Sequence, residues 1–111
     1  MATSYKILGQ AHMTTTSDTD IYTVPAGTET IISTMIVANI GTAATTFNIA
    51  LRQDGDTLAN KHYVAKSVPV AAEDSTTLTL GMALEATDVV TVAAGDANLL
   101  SFNLFGAEID V

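Results

Sequence analysis

The fold class is decided by residues 28–40, which read TETIISTMIVANI. Threonine, isoleucine and valine dominate this stretch, and β-branched residues favour strands over helices. Successive side chains of a strand point to opposite faces, so residues 31, 33, 35 and 37 are predicted to share one face and residues 32, 34, 36, 38 and 40 the other. Because both faces carry apolar side chains, one is expected to meet the core and the other a partner or another part of the chain.

The same period-two pattern continues outward from this strand in both directions. Turn residues interrupt it at intervals of roughly 8–12 residues, which is typical of all-β sandwiches. Eight strands are predicted, at residues 4–11, 20–24, 28–40, 45–52, 61–68, 75–80, 88–93 and 99–109. Residues 12–19 are interpreted as an exposed, threonine-rich loop. The chain is therefore predicted to be all-β: a single antiparallel β-sandwich of jelly-roll type with about eight strands, one domain over residues 1–111.

The composition narrows the class of function. Hydrophobic residues make up 48% of the 111 residues and charged residues 14%, so there is enough apolar surface to offset the entropy of ordering the chain, and disorder is excluded. A surface of threonine, serine and alanine costs little to dehydrate and therefore suits contact with another protein. The net charge of −8 provides no basic footprint for nucleic acid and disfavours binding to anionic membranes.

Several further classes are excluded by what the sequence lacks. It has no cysteine, and hence no disulfide, thiolate metal site or cysteine nucleophile. Residues 1–10 do not have the basic and apolar regions of a secretory signal. The longest apolar stretch, residues 31–40, is too short and too polar to span a membrane.

No group of residues has the spacing that catalysis or metal binding requires. His12 and His62 have no partner carboxylate or second ligand at a suitable spacing, and His62 is predicted to line a strand surface. The carboxylates that lie close together in the sequence are interpreted as turn formers or solvated side chains: Asp18, Asp20, Asp54, Asp56, Glu73, Asp74, Glu85 and Asp88. Calcium binding by the aspartate pairs is the less favoured alternative. The sequence thus predicts that the protein is not an enzyme and has no catalytic, cofactor-binding or metal-binding residues.

Five stretches carry a resemblance to known proteins: YTVPAGT at residues 22–28, ANIG at 38–41, LANKHY at 58–63, LTLG at 78–81 and SFNLFGAEI at 101–109. Together they resemble small structural proteins of tailed bacteriophages. The resemblance implies a virion protein, and a short chain of this kind looks most like a capsid decoration (cement) protein that binds and stabilises the assembled shell. A tail, collar or fibre module is the alternative. A carbohydrate-binding module is less favoured because the chain has no tryptophan.

The implied partner is the major capsid protein or another virion protein, and the chain is expected to form a homo-oligomer, a trimer at local threefold positions. Nucleic acid, membrane and cofactors are not expected. The candidate subunit contacts are Ile31, Met35, Val37, Tyr63 and Phe105. For the residues of the 28–40 strand, the competing interpretation is that they are ordinary core.

Overall fold

The computed structural model describes residues 2–111, which form eight β-strands and two 3-10 turns. The strands are β1 (Thr3–His12), β2 (Thr19–Thr23), β3 (Thr28–Asn39), β4 (Thr45–Arg52), β5 (Tyr63–Val70), β6 (Ser75–Leu84), β7 (Val89–Ala94) and β8 (Leu100–Asp110). The 3-10 turns, Gln53–Gly55 and Asn60–His62, lie between β4 and β5. The predicted all-β sandwich of eight strands is confirmed.

The strands are arranged in two antiparallel four-stranded sheets. The first sheet has the order β1-β8-β3-β6 and the second has the order β2-β7-β4-β5. The first strand therefore pairs with the eighth, the second with the seventh, the third with the sixth and the fourth with the fifth. A long antiparallel hairpin folded into two layers produces these pairings. Each sheet has an inner face on the core and an outer face.

The core fills the space between the two sheets. Phe47 of the second sheet and Phe102 of the first meet edge to face, with ring centroids 6.3 Å apart and an interplanar angle of 80°. The other buried members are Met13, Tyr22, Val24, Ile32, Met35, Val37, Ile49, Val70, Leu84, Val90, Val92, Ala94, Leu100 and Leu104. Each large apolar side chain that is fully buried stabilises the fold by about 1.5–3 kcal/mol.

A β-bulge in β3 reverses the alternation of its faces. The pairing of β3 with β8 shifts between Ile32 and Thr34, so Ser33 is an extra residue relative to β8. The pairing with β6 shifts at the same level, but there β6 carries the extra residue. Side chains that face inward have even numbers before the bulge and odd numbers after it. Met35 and Val37 are 0% exposed and belong to the core, which corrects the prediction that they contact another subunit. Strict alternation was the wrong assumption, because one inserted residue exchanges the two faces.

A second bulge lies at the same level in β1. The pairing of β1 with β8 shifts between Ile7 and Gly9, so residues 5 and 7 face outward before the bulge and residues 10 and 12 face outward after it. Gly9 itself faces the second sheet. A Cβ at this position would lie 2.4 Å from the carbonyl oxygen of Ile21. Glycine is thus required where β1 and β2 approach each other across the sandwich.

The ends of several elements differ from the sequence prediction. Asn60–His62 is a 3-10 turn where the fifth strand was predicted to begin, and Pro69 lies inside β5, which tolerates it because β5 is an edge strand. β6 continues through Gly81, which has a φ of +59°, where a connector was predicted. The predicted exposed loop after β1 contains the buried Met13, whose N–H donates to the carbonyl of Leu100 at 2.9 Å.

The sequence Asn39-Ile40-Gly41 ends β3 through one buried side chain. The Asn39 Nδ2 donates to the carbonyl of Ala43 at 2.8 Å, and its Oδ1 accepts the N–H of Gly41 at 3.0 Å. A Cβ at Gly41 would lie 2.1 Å from Cδ2 of Leu99, so a larger residue there would require the Leu99 side chain to move. The asparagine amide therefore holds the turn to β4 from inside.

Candidate functional site

The first sheet leaves part of its outer face uncovered. On one side of the two bulges, side chains of β1, β3 and β8 border an open groove of about 610 Å³. Six apolar residues among them define what we call the apolar groove: Tyr5, Ile7, Ile31, Phe105, Ala107 and Ile109. Apolar clusters at the surface of a folded domain mark contacts with other molecules.

The strand register places these residues side by side. Tyr5 and Ile7 of β1 lie opposite Ala107 and Phe105 of β8, respectively. Ile31 of β3 lies opposite Ala107 from the other side. The small alanine side chain is therefore flanked by two large ones, which gives the surface its concave shape.

Three side chains of the apolar groove are unusually exposed for their type. Tyr5 is 85% exposed, Ile7 52% and Ile31 40%. Ile40 and Val64 are also exposed, but they lie apart from the groove and are ordinary surface residues. The distinguishing feature is the clustering of apolar side chains from three strands around an amphipathic tyrosine, a residue enriched in protein interfaces.

The outer face is polar on the other side of the bulges. The Gln10 Nε2 donates to the Asn103 Oδ1 at 2.7 Å, and the His12 Nδ1 lies 3.3 Å from the Ser101 Oγ. These pairs bridge β1 and β8 just as the apolar pairs do. Bulges at the same level in β1 and β3 thus separate an apolar half of the outer face from a polar half.

A polar network joins the two sheets beneath the apolar groove. The hydroxyl of Tyr22, on β2, lies 2.7 Å from the Thr30 Oγ1 and donates to the Glu108 Oε2 at 2.6 Å. The other oxygen of Glu108 forms an ion pair with the ammonium of Lys6. The network therefore connects β2 in one sheet to β1, β3 and β8 in the other.

Burial and these contacts shift the pKa of Tyr22 and the pKa of Glu108. Burial, together with the hydrogen bond to the Glu108 carboxylate, raises the pKa of Tyr22 to about 12. The hydrogen bond from Lys6, followed by that from Tyr22, holds the pKa of Glu108 below its ordinary value. At neutral pH the phenol is therefore protonated and the carboxylate is charged, which is the state in which the hydroxyl donates.

The single arginine covers part of the outer face of the second sheet. The Arg52 Nε donates to the Thr91 Oγ1 at 3.0 Å, and its Nη2 donates to the Asp20 Oδ1 at 2.9 Å. Its Nη1 donates to the carbonyls of Gly55 and Asp56 at 3.1 and 2.8 Å. One guanidinium thus ties β4 to β2, β7 and the loop after β4, and this part of the second sheet is occupied by the chain itself.

The structure separates the five predicted subunit contacts. Ile31 and Phe105 meet in the apolar groove, whereas Met35 and Val37 lie in the core. Tyr63 is half-buried on β5 in the other sheet, where the Lys66 ammonium lies 4.2 Å from its ring centroid. Contact of the three surface residues with another subunit stays a prediction.

Four members of the apolar groove were not predicted from the sequence: Tyr5, Ile7, Ala107 and Ile109. Tyr5 and Ile7 lie two residues apart in the predicted strand 4–11, and this alternation was the available signal. What was missing was the knowledge that the face they share points away from the core. Ala107 and Ile109 carried no signal of their own, because they join the site only through the pairing of β8 with strands from the first third of the chain.

His62 and Asp88 accept hydrogen bonds from backbone N–H groups. The Nδ1 of His62 accepts the N–H of Ala59 at 2.9 Å, so this buried residue closes a 3-10 turn instead of lining a strand as predicted. The Asp88 carboxylate accepts the N–H groups of Asp54 and Glu85, both at 2.9 Å. Such bonds to the backbone are those of turn-forming aspartates.

Residues 2–111 contain no cluster of metal-ligating side chains and no membrane-spanning helix. Within residues 2–111, no three histidine, aspartate or glutamate side chains are grouped so that they could hold a metal ion. Over the same residues, no helix has the length and apolar character needed to cross a membrane.

Comparison with known proteins shows a similarity of fold. No protein-family profile matches the sequence, and no curated protein matches it. Among solved structures, the chain is similar to a chain in the acidic stable capsid structure of Helicobacter pylori bacteriophage KHP30, with a TM-score of 0.54 and 13% sequence identity. The match covers 99% of this chain and 98% of that one. The two chains therefore share an architecture along their whole length.

Proposed function

We propose that the protein is a structural protein of a bacteriophage virion, and specifically a capsid decoration protein that binds and stabilises the assembled shell. The observation that carries the proposal is the end-to-end fold similarity to a chain from a phage capsid structure. The sequence resemblance to phage structural proteins and the exposed apolar groove support it independently. The proposal includes no catalytic step.

Stabilisation would operate by mass action. A protein that binds the assembled shell but not free subunits stabilises the shell by an amount that grows with its occupancy. The apolar groove is the surface most suited to such contact, because removing apolar surface from water yields about 25 cal/mol per Å². Tyr5 and Ile7 have the most area still to bury. Occupancy of neighbouring sites on a symmetric lattice would multiply this effect over the particle.

The proposed oligomer is a homotrimer with the major capsid protein, or another virion protein, as its partner. A trimer suits local threefold positions of an icosahedral shell, where each copy meets an equivalent environment. Tyr63 on the second sheet is a candidate contact between copies, because the apolar groove would then stay free for the shell.

The test is a reconstitution with shells that lack the chain. The purified protein is added to expanded shells and, separately, to isolated tails, and bound protein is measured by sedimentation. We expect saturable binding to shells, no binding to tails, and shells that release their DNA at a higher temperature. Binding to tails alone would favour a tail, collar or fibre module instead. A monomer by light scattering would refute the trimer, and shells equally heat-resistant without the chain would refute the decoration role.

A further inference from the structure

We propose that the apolar groove binds a different protein, not a second copy of this chain, and that the partner presents an apolar ridge flanked by basic side chains at one end. This inference rests on the proposed function, since it specifies the surface and the partner chemistry through which the chain would attach to the virion. The distribution of charge around the groove supports this partner chemistry.

The chain uses most of its positive charge internally. It has twelve acidic and four basic side chains. Lys6, Arg52 and Lys61 each lie within ion-pair distance of a carboxylate of the same chain. Lys66 lies over the ring of Tyr63. Within residues 2–111, three of the twelve carboxylates thus form an ion pair with lysine or arginine. The electrostatic potential at the surface of the molecule is therefore strongly negative.

Some of the remaining carboxylates lie at one end of the apolar groove. Glu29 is opposite Ile109 in the β3–β8 ladder and is exposed. Asp110 follows Ile109 directly and is also exposed. Glu85 comes immediately after Leu84, the last residue of β6. Three neighbouring strands therefore each bring a carboxylate to the same end of the sheet, next to the apolar surface.

This arrangement selects against a second copy and in favour of a basic partner. Two copies joined groove to groove would bring two chains of net charge −8 into contact, and Lys6, which lines the groove, is already paired with Glu108 of its own chain. Like charges brought within the Debye length of about 8 Å oppose association. A partner with lysine or arginine beside an apolar ridge gains both from burial of the groove and from charge complementarity. The acidic end of the groove also determines the orientation of the partner, because the basic end of the partner's apolar ridge must lie next to it.

The test combines two groove variants with one charge variant. Tyr5→Ala and Ile7→Ala remove apolar contact, and Val64→Ala on β5 is the matched control, because Val64 is 45% exposed in the other sheet. The double variant Glu29→Gln with Glu85→Gln removes acidic charge, with Asp18→Asn in the loop after β1 as its control. The wild type and all five variants are titrated onto shells that lack the chain, at low and at high salt.

We expect the groove variants to weaken shell binding about 10-fold or more, the size of an interface hot-spot loss, and Val64→Ala by less than about 2-fold. The charge variant should slow association and flatten its salt dependence, because complementary rim charges act mainly on the association rate. Equal binding by wild type and both groove variants would overturn the inference. So would dissociation of the homo-oligomer by Tyr5→Ala, since a second copy would then occupy the groove.

A second probe keeps the test independent of the proposed function. An 11-residue peptide of alternating valine and threonine, with two lysines at one end, is titrated into the labelled protein, and so is the same peptide with glutamates replacing the lysines. Amide shifts at residues 5, 31 and 107 with the lysine peptide alone support the inference. If wild type does not bind shells but the lysine peptide binds the groove, the decoration role fails and the inference stands. If neither peptide perturbs the groove, or both do equally, the inference fails.

Discussion

Replacement of Tyr22 by phenylalanine should destabilise the protein by about 2 kcal/mol. The change removes a hydroxyl and leaves the ring in place, so no cavity forms. It eliminates a 2.7 Å contact with the Thr30 Oγ1 and a 2.6 Å hydrogen bond to the charged Glu108. A hydrogen bond to a charged group contributes about 1.5–3 kcal/mol, and the buried Thr30 hydroxyl loses its partner as well. Glu108 keeps its ion pair with Lys6, which limits the loss.

The assay is urea unfolding followed by circular dichroism, with Tyr5→Phe as the matched control. The same chemical change at Tyr5, which is 85% exposed, should alter the free energy of unfolding by less than about 0.5 kcal/mol. For a domain of this size, a loss of 2 kcal/mol lowers the melting temperature by about 8 °C. The slope of the unfolding free energy against urea should be unchanged, because the surface exposed on unfolding is the same.

The pH dependence gives this prediction a signature of its own. The pKa of Tyr22 is raised from 10.0 to about 12 in the folded protein, so its contribution to stability is complete below pH 10 and is lost as the pH rises through about 12. Wild type and Tyr22→Phe should therefore converge in stability over that interval. Equal stability of the two proteins at pH 7, or a constant difference up to pH 12, would refute the assigned hydrogen bonds.

Three further predictions concern the core residue Met35, the hydrogen bonds of Arg52 and the half-buried carboxylate of Glu108. Met35→Ala should lower the free energy of unfolding by about 2–5 kcal/mol, as expected for a core residue, and Ile31→Ala should lower it by less than half as much. Urea titration of the dissociated chain measures both values. Arg52→Met should lower the free energy of unfolding by about 1–3 kcal/mol, because the side chain is largely buried and Thr91 and two backbone carbonyls lose their hydrogen-bond donor. Residues 53–56 should also lose protection from hydrogen exchange in this variant. Unchanged exchange at these residues would contradict the prediction. The pKa of Glu108 is lower in the folded protein than in the unfolded chain, so its contribution to stability is present at neutral pH and is lost as the pH falls below about 4.3 through the folded pKa. Glu108→Gln should remove this acid-dependent loss of stability in thermal melts from pH 7 to pH 2. An identical pH profile for the wild type and the variant would count against the Lys6 ion pair.

The sequence by itself determined the fold class and the approximate positions of the eight strands. Alternation in residues 45–52 predicted β4 with its observed bounds, because a strand with one face on the core displays its period directly. The turn after β3 could be predicted in the same way, because Asn39 and Gly41, which form a hydrogen bond there, are only two residues apart. Features of this kind depend on local conformation and on the side-chain period alone.

Only the tertiary structure decided which side chains face outward and which of them meet. The bulges at Leu8 and Ser33 exchange the two faces of β1 and β3, and they are defined by the partner strands, since an extra residue exists only relative to a neighbour that lacks it. For this reason Met35 could be assigned to the wrong surface. The apolar groove brings residues 5 and 7 beside residues 105–109, which are separated by almost the whole chain, and no local pattern carries information about a pairing at that distance.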